Sequence, residues 1–146
     1  MTTEPATRIA PPVSDESRAF WTGGATGELL IQWCAACARW VHPPVGRCPT
    51  CGSELEARPV SGRGTVWTFT VNRHPFHPAV PVPYVIAIVE LVEQAGLRFI
   101  TNIVDCEVDE VELGMPVEVC FEPVGDDVWV PVFRRAGVGS DRAIVP

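Results

Sequence analysis

The chain has 146 residues, 47% of them apolar and 20% charged, which is enough to bury a core and too apolar for a disordered chain. Eleven Lys and Arg against eighteen Asp and Glu leave a formal net charge of -7, which weighs against a free nucleic-acid binder. No segment reaches the ~20 apolar residues needed to cross a bilayer, and Met1 to Val13 lacks the apolar centre of a signal peptide. The expected location is therefore the cytoplasm, where six cysteines point to metal binding before disulfides.

Fifteen prolines and twelve glycines scattered between apolar runs favour short strands and turns over long helices. Residues 1–13 read as a flexible lead closed by Pro11 and Pro12. Ser14 is expected to cap a short helix, with Asp15 and Glu16 in its first turn, that carries Phe20 and Trp21 and stops at Gly23-Gly24. Two adjacent large aromatics do not share one face of so short a helix, so either one packs on the ribbon or the helix docks on a partner, which makes Phe20 and Trp21 candidate docking residues.

Glu28 to Trp33, Arg39 to His42 and Leu55 to Val60 read as three short strands around two cysteine pairs. From Arg63 onward the strands lengthen and alternate with a period of two. Thr65 to Asn72 is expected to put Trp67, Phe69 and Val71 on one face. Tyr84 to Leu91 is apolar on both faces, and Gln94-Ala95-Gly96 turns the chain into Leu97 to Val104. The acidic segment Asp105 to Glu112 offers Val108 and Val111 to the core; it lacks the glycine turn of a calcium loop and reads as a solvated face. Val117 to Glu122 and Val128 to Arg134 complete five strands, which fit a small closed barrel of the OB type.

Cys34-Ala-Ala-Cys37 and Cys48-Pro-Thr-Cys51-Gly52 form the strongest chemical signal. Each pair can make a knuckle whose two thiolates face one ion, and two knuckles complete a closed tetrahedral site. Four cysteines leave no open coordination position, so the expected metal is structural, zinc first, with iron also compatible with four thiolates. Gly52 suits the left-handed backbone position that follows a knuckle. Cys106 and Cys120 have no His or Asp at a nucleophile's spacing and read as free structural thiols.

Arg73, His74, Phe76 and His77, in a proline-stiffened loop between the first two barrel strands, form a second candidate site. Arg73 suits a phosphate or carboxylate and the histidines can move protons, but no nucleophile or carboxylate pair accompanies them. A binding or docking loop on the barrel rim is the better expectation. His42, beside Pro43, reads as an ordinary ribbon residue.

Several segments together resemble the bacterial and archaeal family with a zinc ribbon followed by an OB fold, long catalogued as a domain of unknown function. They are Phe20-Trp21 with Gly23, Gly27-Glu28-Leu29, Gln32, the two knuckles, and Pro43-Pro44, then Ser61-Gly62-Arg63-Gly64 with Val66 and Phe69-Thr70-Val71. Pro83-Tyr84-Val85, Thr101-Asn102-Ile103-Val104, Gly114-Met115-Pro116-Val117 and Pro131 with Phe133-Arg134 continue the match, which spans about residues 14–135. Trp33 stands where that family often has a basic residue, and Ala38 where it often has glycine.

The resemblance implies a mainly β protein divided into an N-terminal lead and docking helix (1–27), a rubredoxin-like zinc ribbon (28–60), a five-stranded OB-fold barrel (61–135) and a C-terminal tail (136–146). It further implies a non-catalytic partner of thiolase-fold enzymes, including lipid-transfer-protein-like aldolases and thiolases that act on acyl-CoA, steroid side chains among them. Phe20 and Trp21 would then dock the enzyme, with Arg73, His74, Phe76 and His77 as contacts to CoA or the partner. The competing expectations are a nucleic-acid-binding ribbon/OB module and a stand-alone acyl-CoA enzyme built on His74 and His77.

Overall fold

The computed structural model describes residues 8–137, so Met1 to Thr7 of the expected lead and residues 138–146 of the expected tail lie outside the described residues. Three short strands, β1 (Leu29–Cys34), β2 (Arg39–Val41) and β3 (Glu56–Val60), form an antiparallel ribbon in the order β2-β1-β3. β1 buries Leu29 and Ile31 by simple alternation, which fixes which of its faces meets the rest of the protein.

Five strands follow: β4 (Arg63–Asn72), β5 (Tyr84–Leu91), β6 (Arg98–Val104), β7 (Pro116–Val124) and β8 (Val128–Arg135). They close into a barrel in the order β4-β5-β6-β8-β7. The expected mainly β fold with ribbon and five-stranded barrel is therefore observed. Val85, Ala87, Val89 and Leu91 of β5 point inward with Phe99 and Ile103 of β6, Val117 of β7 and Phe133 of β8.

One register expectation is corrected. The pairing of β4 with β5 slips between Val66 and Thr68, a bulge that leaves Trp67 without a partner. Because strand side chains alternate with period two, the extra residue reverses the faces. Val66 is buried ahead of the bulge and Phe69 and Val71 pack on the core after it, while Trp67 points out beneath the Arg98 guanidinium at 3.9 Å.

The helix is also shorter than expected. α1 spans Arg18–Thr22, and Asp15 and Glu16 fall outside its first turn. Ser14 and Ser17 close a turn on each other instead: Ser14 N donates to Ser17 Oγ at 2.9 Å and Ser17 N donates to Ser14 Oγ at 3.3 Å. A 3-10 turn, Gly23–Thr26, continues from α1 and ends on Gly27 in the left-handed conformation.

This N-terminal segment is part of the barrel's packing. β6 and β8 run parallel and pair only at Ile103 with Phe133 and Val104 with Arg134. α1 packs against β8 and β1, and the 3-10 turn packs against β8 and β7. Gly24 sits so close to Trp129 and Phe121 that any side chain there would collide with them. Arg8 of the expected flexible lead is fixed too, its Nη1 donating to Asn102 Oδ1 at 2.7 Å and its Nη2 to Glu122 Oε1 at 2.9 Å.

Ribbon and barrel are joined by a side chain that imitates a strand. Gln94, in the turn after β5, accepts from Trp40 N at 2.8 Å and donates to Trp40 O at 3.1 Å, serving the open edge of β2. Gln32 does the same for the loop before the second knuckle, accepting from Val45 N and donating to Val45 O, both at 2.8 Å.

Candidate metal centre and its surroundings

Cys34 ends β1, Cys37 lies in the turn that leads to β2, and Cys48 and Cys51 lie in the loop before β3. Pairing of Cys34 with Arg39 across β1 and β2 brings the first knuckle back on itself. The second is closed by two backbone bonds, Cys48 N to Ser53 O at 3.0 Å and Gly52 N to Cys48 O at 2.8 Å. Gly52 has φ +77, the left-handed value expected after the knuckle. Ala38 has φ +54 in the equivalent place after the first knuckle, so the departure from glycine keeps the glycine conformation.

The four sulfurs lie within 4.8 Å of one another. Cys34 Sγ is 3.6 Å from Cys51 Sγ, and Cys37 Sγ is 3.9 Å from Cys48 Sγ. Four sulfurs at ~2.3 Å from a central ion stand about 3.8 Å apart in a tetrahedron. The donor set and its spacing thus fit a single four-coordinate ion, and among the described residues this is the one His, Cys, Asp and Glu cluster that could hold a metal.

Backbone amides support the sulfurs, with Cys37 N donating to Cys34 Sγ at 3.3 Å and Thr50 N to Cys48 Sγ at 3.4 Å. Hydrogen bonds from the backbone of Cys51 and Thr50 hold the Cys48 thiol below its ordinary value. The Ser53 hydroxyl, 3.2 Å from Cys51 Sγ, and the Ser53 backbone bring Cys51 down to about 6. Cys37 is pushed up to about 12, first by its hydrogen bond with Cys51 and then by burial. Four neighbouring thiolates repel one another, and a bound divalent cation is what favours them all together. Cys34 and Cys48 are buried while Cys51 is exposed, so the centre sits at the outer end of the ribbon in its own small cluster with Val41.

The other candidate residues are distributed differently. Phe20 is only 7% exposed and lies inside, its ring 5.0 Å from His42 and 6.0 Å from Phe99. Trp21 meets Phe20 edge-on at 4.8 Å and keeps part of its surface open. His42 is more than a ribbon residue, because it wedges between Phe20 and Phe99 where ribbon, helix and barrel meet. Burial lowers its pKa to about 4, so it is neutral at pH 7. Its partners are distant in sequence, and no local signal marks it.

Arg73, His74, Phe76 and His77 are all exposed in the loop between β4 and β5. Asn72 shapes the loop by donating from Nδ2 to His74 O at 3.0 Å, and His77 Nδ1 accepts from Ala79 N at 3.0 Å. The His74 ring stands 4.5 Å from that of Phe76, which is 75% exposed. Arg73 reaches Asp109 only at 4.0 Å, an exposed pair of little energetic weight. Burial raises the pKa of Cys106 and of Cys120, which makes both poor nucleophiles. No helix among the described residues is long and apolar enough to cross a membrane.

Comparison with known proteins accords with this geometry. Residues 21–56 match the ChsH2 rubredoxin-like zinc ribbon domain and residues 57–122 match the ChsH2 C-terminal OB-fold domain. The chain is 42% identical over 127 residues to a probable enoyl-CoA hydratase alpha subunit of Thermomonospora curvata, which covers 86% of this chain and 39% of that one. It is 35% identical over 123 residues to the 3-oxo-4,17-pregnadiene-20-carboxyl-CoA hydratase alpha subunit of Mycobacterium tuberculosis, covering 81% of this chain and 37% of the relative. It therefore spans less than two fifths of the length of either curated relative. A chain in a solved structure of the Ltp2-ChsH2(DUF35) aldolase superposes with a TM-score of 0.78 at 37% identity, covering 88% of this chain and 100% of the other.

Proposed function

The chain belongs to the ChsH2/DUF35 family of zinc-ribbon and OB-fold proteins, and from that membership we propose that it is a non-catalytic subunit of a thiolase-fold aldolase or thiolase acting on acyl-CoA. The observation that carries the proposal is the full coverage of the DUF35 chain of an aldolase by this chain, at 37% identity and with the same fold. The hydratase relatives carry further sequence that this chain does not match, so they support an acyl-CoA setting, steroid side chains included, more than a hydratase activity.

The residues agree with an accessory role. The four cysteines fit a structural zinc ion that closes the ribbon, with every coordination position taken by the protein. Thiols with raised pKa and two exposed histidines on a loop without a carboxylate pair supply no nucleophile–base constellation among the described residues. Carbon–carbon cleavage or condensation would then belong to the partner, while Arg73, His74, Phe76 and His77 present a rim for CoA or the partner. Affinity purification of the tagged chain from its source, with mass spectrometry of what co-elutes, tests the proposal. A thiolase-like enzyme in stoichiometric amount is expected; recovery of the chain as a monomer, or with nucleic acid released by salt, would refute it.

A further inference from the structure

The outer face of the barrel carries a feature that the metal centre leaves unexplained. β5 turns Val85, Ala87, Val89 and Leu91 inward, so Tyr84, Ile86 and Ile88 face outward. On β6 the residue paired with Ile88 is Ile100, which is 71% exposed. Three hollows along this face run together. The first lies by the ribbon between Trp21, Pro44 and Arg98, and shares Trp21 and Ile100 with the second. The second reaches Arg8, Tyr84 and Asn102, and these begin the third, which ends at Val80 and Pro81 of the loop after β4. The track follows the seven residues of β6, a length of about 20 Å.

Its charge is as distinctive as its polarity. No described residue lining the three hollows is acidic, in a chain with eighteen Asp and Glu, and two arginines stand on the track. Arg8 is already held by Glu122 and Asn102. Arg98 lies over the Trp67 ring and approaches Glu90 only at 3.8 Å, which leaves guanidinium donors for a carboxylate from outside. Contiguous apolar surface of this kind, with aromatic residues and an arginine, is the composition of an interface centre.

We infer that this track, and not the knuckle end of the ribbon, is the surface on which the enzyme subunit of the proposed complex docks. The partner's matching face carries apolar side chains flanked by carboxylates. The identity of the occupant rests on the proposed function; the location of the surface rests on the geometry alone. A carboxylate-free track lets such a face approach a protein that is otherwise net negative.

Calorimetric titration of the purified chain with the co-purified thiolase-like subunit tests the inference. Ile100→Asp places a charge mid-track at an open position, so the fold is kept, as circular dichroism will check. Leu113→Asp, 68% exposed and outside the track, is the control. Ile100→Asp is expected to weaken the dissociation constant at least tenfold, Arg98→Glu to weaken it and reduce its salt dependence, and Leu113→Asp to leave it within twofold. Wild-type affinity in a folded Ile100→Asp variant would overturn the track and leave the subunit role standing. Absence of binding by the wild-type chain would overturn the role and the occupant together. Self-association of the free chain, seen by light scattering and abolished by Ile100→Asp, would assign the track to a second copy and overturn the enzyme as its occupant.

Discussion

Ala38 holds a left-handed backbone position, φ +54, that glycine adopts without steric cost. Replacing it by glycine relieves the Cβ clash but adds freedom to the unfolded chain, and the first effect exceeds the second in this region of φ. Ala38→Gly is therefore expected to raise stability by roughly 0.5–1 kcal/mol, read as a higher denaturant midpoint with unchanged slope. The cysteine spacing made the knuckles legible in the sequence, since two residues between thiols force a turn whatever surrounds it. His42 was not legible, because burial between Phe20 and Phe99 depends on three separate elements meeting. Its pKa is lowered to about 4. The unfolded chain takes up a proton below about pH 6.5 that the folded chain refuses, so stability falls as pH drops from about 6.5 toward 4. His42→Phe keeps the ring cluster and removes this proton uptake. Chemical denaturation of both proteins at pH 7 and pH 4.5 should show a smaller acid loss for the variant, by about 1–3 kcal/mol. Equal losses would mean that His42 is not held neutral.

At the scale of elements, the strands were readable from alternation and turn residues, and their bounds fall within a residue or two. What alternation does not encode is a bulge: one extra residue at Trp67 reversed the faces of half of β4 while the residue types stayed compatible with both readings. The N-terminal helix is shorter than the capping pattern suggested, because Ser14 and Ser17 bond to each other, but the splitting of its two aromatics was legible: Phe20 is buried, with α1 packed against β8 and the 3-10 turn. Gly24 reports on that packing. Gly24→Ala is expected to cost more than 2 kcal/mol, since the added carbon meets Trp129 and Phe121 with no room to shift. Tolerance of alanine there, in thermal melts, would mean that the N-terminal segment lies loosely on the barrel. Gln94→Ala leaves the Trp40 N–H and C=O without their partner, and should cost about 1–3 kcal/mol while leaving metal content unchanged.

At the scale of the whole molecule, ribbon, helix and barrel are tied by Phe20, His42, Phe99 and Gln94, with the metal centre at the far end of the ribbon. A metal so placed supplies shape: removing it should loosen the knuckles first. Chelation is expected to loosen the knuckle cluster of Cys34, Val41 and Cys48 at a lower temperature than the core that β1 shares with the barrel, which fluorescence of Trp33 against that of Trp129 can follow through single-tryptophan variants. The division of labour between this chain and its partner is the central claim. Steady-state cleavage of a steroid side-chain acyl-CoA by the purified complex, with wild-type chain and with His74→Ala/His77→Ala, measures it most directly. The account predicts no turnover by the isolated chain and a kcat within about threefold of wild type for the variant complex, with any loss in KM. Turnover by the isolated chain, or a hundredfold fall in kcat in the variant complex, would contradict it and place the chemistry in this chain.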